Sequence, residues 1–427
     1  MRNGLWTRAR ALLPALLAPL MLFAVLPALG NTQAVDVPPP TMVPVAGGGM
    51  SPSPFPSVLR TPAPTTQPPE VRAASAVLVD LDSGQVLFAK DPHQRRAIAS
   101  LTKIMTALLT LERTTPAEIV TVSPEAADPG PTVGISQLGL VPGERISVQQ
   151  LLYALLLQSA NDAALALAEH ISGTVEDFVK AMNSRAKRLG LTDTRLASPS
   201  GLDDAGHSSA FDVATMARVA YQQPLFGRIV RTKYREIPAP DGKPRIIQNR
   251  NVLLWLYPGA IGVKTGYTSR AGFCVVGAAE RNGLRLLAVV LGEPGEPFSD
   301  TAALLNYGFT AFERRSLVEE GEHLGSVSIG GRQVPVAAGS DLVGLVPVDA
   351  EIQRELSLLP AVSFPPGVGE TVGDLTVSAP GLRVGTVPLV VVSVPGPSPP
   401  AEPGPWWRRA ASSLVSALDG VLDALFG

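Results

Sequence analysis

Cysteine and histidine are both scarce in this chain of 427 residues. Cys274 is the single cysteine, so no disulfide can form within the chain. The four histidines, His93, His170, His207 and His323, are scattered, and no two of them stand at the spacing of a zinc ligand pair. We therefore expect neither a bound metal nor an organic cofactor.

An excess of charge of either sign is also missing. The chain has 35 lysines and arginines against 37 acidic residues, and the net charge of -2 gives no reason to expect nucleic acid as a partner. Apolar residues make up 45% of the chain and charged residues 17%. This composition allows a sizeable hydrophobic core, and the length allows two or three domains.

The first 30 residues predict an export signal. Three arginines within the first ten residues precede an uncharged apolar run over 11–30, and Ala28-Leu29-Gly30 offers small residues for cleavage. The alternative is an uncleaved anchor, because the run approaches the roughly 20 residues that span a bilayer. Three prolines within the run favour cleavage. In either case we expect the rest of the protein outside the cytoplasm, at the outer face of the cytoplasmic membrane.

Segments rich in proline divide the rest of the chain. Residues 31–72 predict a disordered linker, and 395–405 predict a second linker. Between them, residues 73–314 have strand patterns at both ends and helical patterns in the middle, which indicates a layered α/β or α+β domain. Residues 315–394 have short β-rich runs with Gly and Pro turns and predict a small all-β domain.

Turn residues locate the strands of the larger domain. Asp82-Ser83-Gly84 separates two apolar runs near its start, and Asn282-Gly283 supplies the tight turn of its last hairpin. Cys274 lies in the apolar run FCVV of that hairpin, so we expect it to be buried and unreactive.

The last segment, 406–427, predicts an amphipathic helix. Apolar residues occupy one face: Leu414, Val415, Leu418, Val421, Leu422, Leu425 and Phe426. The Trp-Trp-Arg-Arg sequence at its start suits a membrane interface. The alternative is packing on its own protein or on a partner helix, but the proline-rich tether favours a membrane surface.

A serine and a lysine stand one turn apart in the stretch AIASLTKIMTALLTLER. The apolar residues of this stretch recur with helical spacing, so Ser100 and Lys103 are predicted to be neighbours on one face of a helix. The ammonium of Lys103 could then reach the hydroxyl of Ser100. The alternative is an ordinary boundary lysine that extends to water.

Two further triplets follow in the chain. Ser159-Ala160-Asn161 falls at a predicted break between two helices, where simple helix capping is the alternative. Lys264-Thr265-Gly266 falls on a predicted strand, where an edge-strand lysine and a turn glycine are the alternative. In this order, with Ser100 and Lys103, they form the S-x-x-K, S-x-N and K-T-G set of penicillin-recognising serine enzymes.

With these motifs the chain resembles the low-molecular-mass penicillin-binding proteins, the serine-type D-alanyl-D-alanine carboxypeptidases. The blocks ASLTKIMTALL, LLQSANDAALALAEHI, GLDDAGHSSAFDVA and YPGAIGVKTGYTSRAGFCVVGAA extend the resemblance over Ala73 to Gly292. It implies a penicillin-binding, β-lactamase-like domain in which helices flank a sheet, followed by the small β-domain and the terminal helix. One departure is Ser198–Leu202, where the family pattern begins with Asn-Pro. His207 lies in a family-like block, and we interpret it as structural.

Physical chemistry suggests roles for the residues of the first two motifs. A serine hydroxyl needs a base to become a nucleophile, so Ser100 is the predicted nucleophile and Lys103 the predicted general base. Lys103 can accept a proton only when neutral, and both burial and a second cation at Lys264 would lower its pKa. Ser159 could relay a proton to the leaving amine, and Asn161 could bind a substrate amide and hold Lys103.

The third motif predicts substrate binding. Lys264 supplies positive charge for the terminal carboxylate of the substrate, Thr265 adds a hydroxyl, and Gly266 leaves room for the substrate to pair with the strand. The resemblance also implies an oxyanion hole made by the backbone N–H groups of Ser100 and Tyr267.

The sequence therefore predicts an exported serine DD-carboxypeptidase. It would remove the terminal D-alanine from peptidoglycan stem peptides through an acyl-enzyme on Ser100, and β-lactams would inhibit it. A DD-endopeptidase with the same residues remains an alternative. A serine β-lactamase is another, although no E-x-x-x-N match lies between Ser159 and Lys264. A non-catalytic scaffold that binds wall or membrane is disfavoured by the intact motifs.

Overall fold

The computed structural model describes residues 42–45, 49–52, 65–128, 136–202, 205–394 and 406–426. The predicted export signal and the predicted linker 395–405 lie outside these residues. Within the segment predicted as a disordered linker, β1 (Met42–Val45) and β2 (Gly49–Pro52) form an antiparallel pair. The linker over 31–72 stays a prediction.

A five-stranded antiparallel sheet forms the centre of the larger domain. Its strands lie in the order β4-β3-β11-β10-β9. They are β3 (Ser75–Asp80), β4 (Val86–Lys90), β9 (Ala260–Thr268), β10 (Gly272–Arg281) and β11 (Leu284–Glu293). The sheet joins the two ends of the domain, because β3 pairs with β11. It leaves β9 at one edge.

The two faces of the sheet cover separate hydrophobic cores. Val77 and Val79 of β3 belong to the core on the helical side, whereas Ala76 and Leu78 belong to the core beneath α9 (Pro297–Ala311). This is the alternation that an extended strand imposes on successive side chains. The predicted sheet flanked by helices is confirmed.

The remaining helices of this domain lie between β4 and β9 in the chain. They are α1 (Lys103–Arg113), α2 (Pro124–Ala127), α3 (Val148–Tyr153), α4 (Asn161–Ser172), α5 (Val175–Arg188), α6 (Ala210–Tyr221), α7 (Pro224–Val230) and α8 (Leu253–Leu256). Two small antiparallel strand pairs lie among them in the chain, formed by β5 (Ile119–Thr121) with β6 (Arg145–Ser147) and by β7 (Tyr234–Ile237) with β8 (Arg245–Gln248).

The C-terminal β-region begins directly after α9. Its strands are β12 (Phe312–Val318), β13 (His323–Ile329), β14 (Arg332–Ala338), β15 (Leu342–Pro347), β16 (Gln353–Leu358), β17 (Thr371–Ala379) and β18 (Leu382–Val391). β12 pairs with β15, and the others form a sheet in the order β13-β14-β18-β17-β16. Gln85 joins this region to the larger domain, because its side-chain amide exchanges two hydrogen bonds with the backbone of Leu345, at 2.6 and 2.9 Å.

The terminal helix α10 (Trp406–Phe426) has the predicted position. Large apolar side chains along it are exposed, among them Leu414 at 63% and Leu418 at 57%. None of the helices that the structure describes, α10 included, combines the length and the hydrophobicity required to cross a membrane.

Candidate active site

Ser100 lies on a tight 3-10 turn, Ala99–Thr102, that leads directly into α1. The predicted helix thus begins three residues later than Ser100, at Lys103. Ala99 has a φ of 47°, a left-handed conformation that residues with a side chain rarely adopt. Such strain is typical of functional sites, where the surrounding structure fixes a backbone that would otherwise relax.

Lys103 is fully buried and makes three hydrogen bonds. Its Nζ lies 3.0 Å from Oγ of Ser100, 2.7 Å from Oδ1 of Asn161 and 2.6 Å from the carbonyl oxygen of Ser200. The predicted contacts with Ser100 and Asn161 are therefore both present. The boundary-lysine alternative is wrong, because the ammonium does not reach water.

The surroundings lower the pKa of Lys103 to about 7. Burial is the largest cause, since a charged amine loses its hydration there, and the positive charge of Arg250 adds to it. Asp162 acts in the opposite direction. The predicted second cation, Lys264, does interact with Lys103, because the charge of Lys103 lowers the pKa of Lys264. Arg250 is a further cation beside Lys103 that the sequence analysis did not name. An amine with this pKa can accept a proton near neutral pH.

The second motif follows a π-helical turn, Ala154–Gln158. Ser159 has a φ of 66°, and the N–H of Ala160 donates to the carbonyl of Ala154 at 3.1 Å. Helix α4 then starts at Asn161, so this left-handed residue separates two helices as predicted. The proton-relay role of Ser159 stays a prediction.

The third motif lies on β9, the edge strand of the sheet. Lys264 and Thr265 are buried, at 1% and 8% exposure, and Nζ of Lys264 donates to the carbonyl of Thr265 at 2.8 Å. The pKa of Lys264 is well below its usual value, first because of burial and then because of Lys103 and Arg250. A carboxylate bound beside Lys264 would stabilise the charged form of this lysine.

Gly266 allows the edge strand to approach the nucleophile. A Cβ at this position would lie 3.0 Å from the backbone nitrogen of Ser100 and 3.2 Å from the carbonyl oxygen of Ile98. The sequence analysis predicted that the substrate would use this free space. In the structure, the backbone next to Ser100 occupies it. Tyr267 follows with 38% exposure, and its ring packs on Phe273 at 4.5 Å between centroids.

Three contributors to the site were missed in the sequence. Arg250 precedes the third motif by 14 residues and carries no recognisable local pattern. Asp162 follows Asn161 directly, is fully buried, and accepts hydrogen bonds from the N–H groups of Leu138 and Gly139 at 2.9 Å. Asp162 could have been found in the sequence as an acidic residue in the first turn of a predicted helix, where a negative charge is favourable.

Ser200 is the third, and it lies in the segment that departs from the family pattern. Its contact with Lys103 uses the backbone carbonyl, so the identity of nearby side chains matters little there. The neighbouring Gly201 has a φ of 77°, and a Cβ on it would lie 2.1 Å from the carbonyl oxygen of Ala99. This segment thereby packs directly against the strained turn that carries the nucleophile.

Comparison with known proteins gives consistent matches. Residues 63–295 match the family model described as D-alanyl-D-alanine carboxypeptidase. The chain is 34% identical over 323 residues to the D-alanyl-D-alanine carboxypeptidase DacF of Bacillus subtilis, which covers 72% of this chain and 82% of that protein.

Solved structures agree. The D-alanyl-D-alanine carboxypeptidase DacD from Francisella tularensis superimposes with a TM-score of 0.67 at 26% identity, covering 77% of this chain and 95% of that one. Penicillin binding protein 5 from Haemophilus influenzae gives a TM-score of 0.65 at 31% identity, covering 78% of this chain and 99% of that one. The match therefore extends beyond the catalytic motifs to most of the described fold.

Proposed function

Because the chain belongs to the D-alanyl-D-alanine carboxypeptidase family, whose members are serine hydrolases, we propose that Ser100 is the nucleophile with which it removes the terminal D-alanine from peptidoglycan stem peptides. The observation that carries this proposal is the 3.0 Å contact between Nζ of Lys103 and Oγ of Ser100, at a lysine whose pKa is about 7. Family membership, which implies peptidoglycan peptide substrates and β-lactam binding, supports it.

The acylation step follows from this geometry. Neutral Lys103 accepts the proton of the Ser100 hydroxyl while Oγ attacks the carbonyl carbon between the two D-alanines. The N–H groups of Ser100 and Tyr267 donate to the resulting oxyanion, and loss of one such donor typically costs about 3–4 kcal/mol of barrier. The C–N bond then breaks, and the leaving amine takes a proton through Ser159 or from Lys103.

Binding of the terminal carboxylate is assigned to the buried cations. The charge of Arg250 lowers the pKa of Lys264, and each of the two cations loses hydration by burial. A carboxylate restores the stability of both charged forms, so these residues favour a substrate that ends at the leaving D-alanine. Water then attacks the acyl-enzyme, with Lys103 again as the base, and releases the shortened peptide.

The proposal is tested by mass spectrometry of the intact protein after exposure to benzylpenicillin, together with D-alanine release from a pentapeptide. A persistent adduct on Ser100 that is absent from Ser100→Ala supports it. Ser184→Ala, an exposed position on α5, is the matched control and should behave as the unmodified protein. A rapidly lost adduct with consumption of penicillin would indicate a β-lactamase, and cleavage of cross-linked dimers instead of pentapeptides would indicate an endopeptidase.

We also propose that the protein is exported and lies on the outer surface of the cytoplasmic membrane. The apolar face of α10 is exposed, and the helix is too polar to span a bilayer, which suits a helix that lies within the interface. The arginines and tryptophans at its start support the same placement.

A further inference from the structure

One end of the C-terminal β-sheet lies far from the larger domain. Leu345 belongs to the core beneath α9, and Leu382, the first residue of β18, packs against the same core. Strand β18 therefore starts beside the larger domain. At about 3.3 Å per residue, its ten residues carry the chain on the order of 30 Å away, to Val391.

Two connections flank the point at which the chain leaves this sheet. The N–H of Gly369 donates to the carbonyl of Val391 at 2.8 Å, and the N–H of Val392 donates to the carbonyl of Pro335 at 3.0 Å. These bonds place the loop between β16 and β17, residues 359–370, on one side of the exit. They place the β13–β14 hairpin on the other side.

The loop and the hairpin also contact each other. The turn of the hairpin, 330–331, lies beyond Val391, because β14 runs antiparallel to β18 and starts directly after the turn. A Cβ on Gly330 would lie 2.8 Å from Cβ and Cγ of Phe364, so the loop packs directly on the turn. We call the loop 359–370 and the turn 330–331 together the distal tip.

The distal tip is apolar and exposed. None of the residues 356–369 is charged. Its exposed large side chains are Leu359, Phe364 and Val368, the last at 70%. Two charged residues at its borders interact within the tip, since Arg332 lies over the ring of Phe364 at 5.4 Å and the N–H of Gly367 donates to Glu370 at 2.6 Å. A contiguous exposed apolar surface of this kind indicates a binding surface.

The course of the chain indicates what this surface binds. Residues 395–405 connect Val394 to Trp406, where α10 begins. Even fully extended, these eleven residues reach at most on the order of 40 Å. The distal tip is thus the part of the β-region from which the chain continues to the helix that is placed in the membrane interface.

We propose that the distal tip is a second membrane-contact surface, in which Leu359, Phe364 and Val368 enter the boundary between lipid headgroups and acyl chains. This inference rests on the proposed membrane placement of α10 and adds a contact that the placement does not require. Once α10 is bound, the tether makes contact of the tip an intramolecular event, which strengthens the overall attachment. Because the tip belongs to the folded β-region, its contact also limits how the larger domain tilts on the membrane.

A fluorescent probe on the tip tests the contact directly. Val368→Cys is labelled with the environment-sensitive nitrobenzoxadiazole fluorophore, and labelling is directed to the new thiol because Cys274 is buried. When vesicles that contain phosphatidylglycerol are added to the full-length protein, we expect a blue shift of the emission and a loss of quenching by iodide, because lipid replaces water around the probe. Val343→Cys, a position on β15 with 52% exposure and two residues before Leu345, is the matched control and should keep its emission and quenching.

Vesicle partition of charged variants measures how much the tip contributes. The double variant Leu359→Asp/Val368→Asp should partition about 10-fold less or more weakly still, because two exposed apolar side chains no longer enter the lipid. Added to Leu418→Asp, which weakens α10, it should remove most of the remaining binding. Val343→Asp should leave partition unchanged. Val368→Asp alone repeats the test at the most exposed of these positions if thermal unfolding shows the double variant to be less stable.

The outcomes separate this proposal from the membrane placement of α10. A protein that sediments with vesicles while the probe at position 368 stays quenched by iodide would overturn the tip contact and leave α10 as the attachment. Absence of any sedimentation would contradict the membrane placement itself. A probe response without vesicles that grows with protein concentration would show that a second copy of the chain covers the tip, which also overturns the proposal.

Discussion

Nζ of Lys103 lies 3.0 Å from Oγ of Ser100 and has no exposure to solvent. The amine also donates to Asn161 and to the backbone of Ser200, so its position is fixed from three sides. A buried amine in this position favours its neutral form, and only that form can take the serine proton. The same desolvation that activates the base costs folding free energy, and both consequences can be measured.

The rate of acylation should depend on the ionisation of Lys103. The pKa of this residue is about 7, so the neutral fraction, and with it the rate of acylation by benzylpenicillin, should rise with pH and level off above neutrality. At two pH units below the pKa the rate should be about 100-fold under the plateau. Stopped-flow acylation across the acidic and neutral range measures this. A rate that stays constant or falls with rising pH would exclude Lys103 as the base.

Arg250 should set the position of that pH profile. Its positive charge lowers the pKa of Lys103, so Arg250→Gln should raise that pKa and move the profile to higher pH. At pH 7 we expect acylation to be about 3-fold slower or more. The measurement is the pH at half-maximal rate, which a general loss of folded protein would not move.

Arg250→Lys is the matched control for this prediction, because it retains a cation. Its profile should stay close to that of the unmodified protein even if its plateau is lower. A profile that moves equally in both variants would mean that Arg250 acts through packing and not through its charge.

Lys103→Met should change how stability depends on pH. The folded-state pKa of Lys103 is lowered, so between pH 7 and 10.5 the unfolded chain binds a proton that the folded protein does not. Stability contributed by this site therefore rises with pH through that window and is lowest below pH 7. The free energy of unfolding of Lys103→Met should exceed that of the unmodified protein by the largest amount at or below pH 7. This difference should decline by about 3–5 kcal/mol toward pH 10.5.

Denaturant unfolding of both proteins at several pH values measures the difference. The absolute advantage will be reduced by about 1–3 kcal/mol, because the oxygens of Asn161 and Ser200 lose their donor. The pH dependence of the difference is thus the informative quantity. A difference that does not vary with pH would show that Lys103 has an ordinary pKa in the folded protein.

Gly201→Ala should damage both stability and activity. Its φ is 77°, and an added Cβ would lie 2.1 Å from the carbonyl oxygen of Ala99, next to the nucleophile. Gly190→Ala is the matched control, because Gly190 has a φ of 72° but no atom within 4 Å of the added Cβ. The control should cost only the left-handed backbone penalty, about 1–2 kcal/mol.

Gly201→Ala should cost more than the control and should also slow acylation by benzylpenicillin, since the Ala99–Thr102 turn must move. Thermal unfolding and acylation rates measured on both variants decide this. Equal costs, with normal acylation in both, would mean that the turn adapts without disturbing Ser100.

Much of this organisation could be predicted from the sequence, because its signals are local. The Asp82-Ser83-Gly84 turn, the Asn282-Gly283 hairpin and the break before Asn161 depend on residues that are adjacent in the chain, and each is present in the structure. The contact between Ser100 and Lys103 could be predicted for the same reason, because residues three positions apart lie about one helical turn apart. In these places the backbone preferences of a few residues determine the geometry.

The electrostatic environment could not be predicted in the same way. Arg250 acts on Lys103 from 147 positions further along the chain, and Ser200 accepts its hydrogen bond across 97 positions. Such contacts depend on how distant segments pack, and neither residue belongs to a motif. The role of Gly266 was misinterpreted for the same reason, because the backbone that occupies its free side comes from the Ala99–Ser100 turn.

The exposed apolar face of α10 predicts reversible binding to membranes. Leu418 is 57% exposed, and burial of a leucine side chain contributes about 1.5–3 kcal/mol. Leu418→Asp removes that contribution and adds a charge that resists burial, so its partition onto vesicles that contain phosphatidylglycerol should fall by about 10-fold or more. Sedimentation with vesicles measures the bound fraction.

Ser416→Asp, which adds the same charge at a position outside the apolar face, is the matched control and should reduce binding far less. D-alanine release should be equal in both variants, because α10 contributes no residue to the site around Ser100. If both variants bind as the unmodified protein does, the apolar face of α10 does not contact the membrane, and packing on a protein partner becomes the better explanation for its exposed leucines.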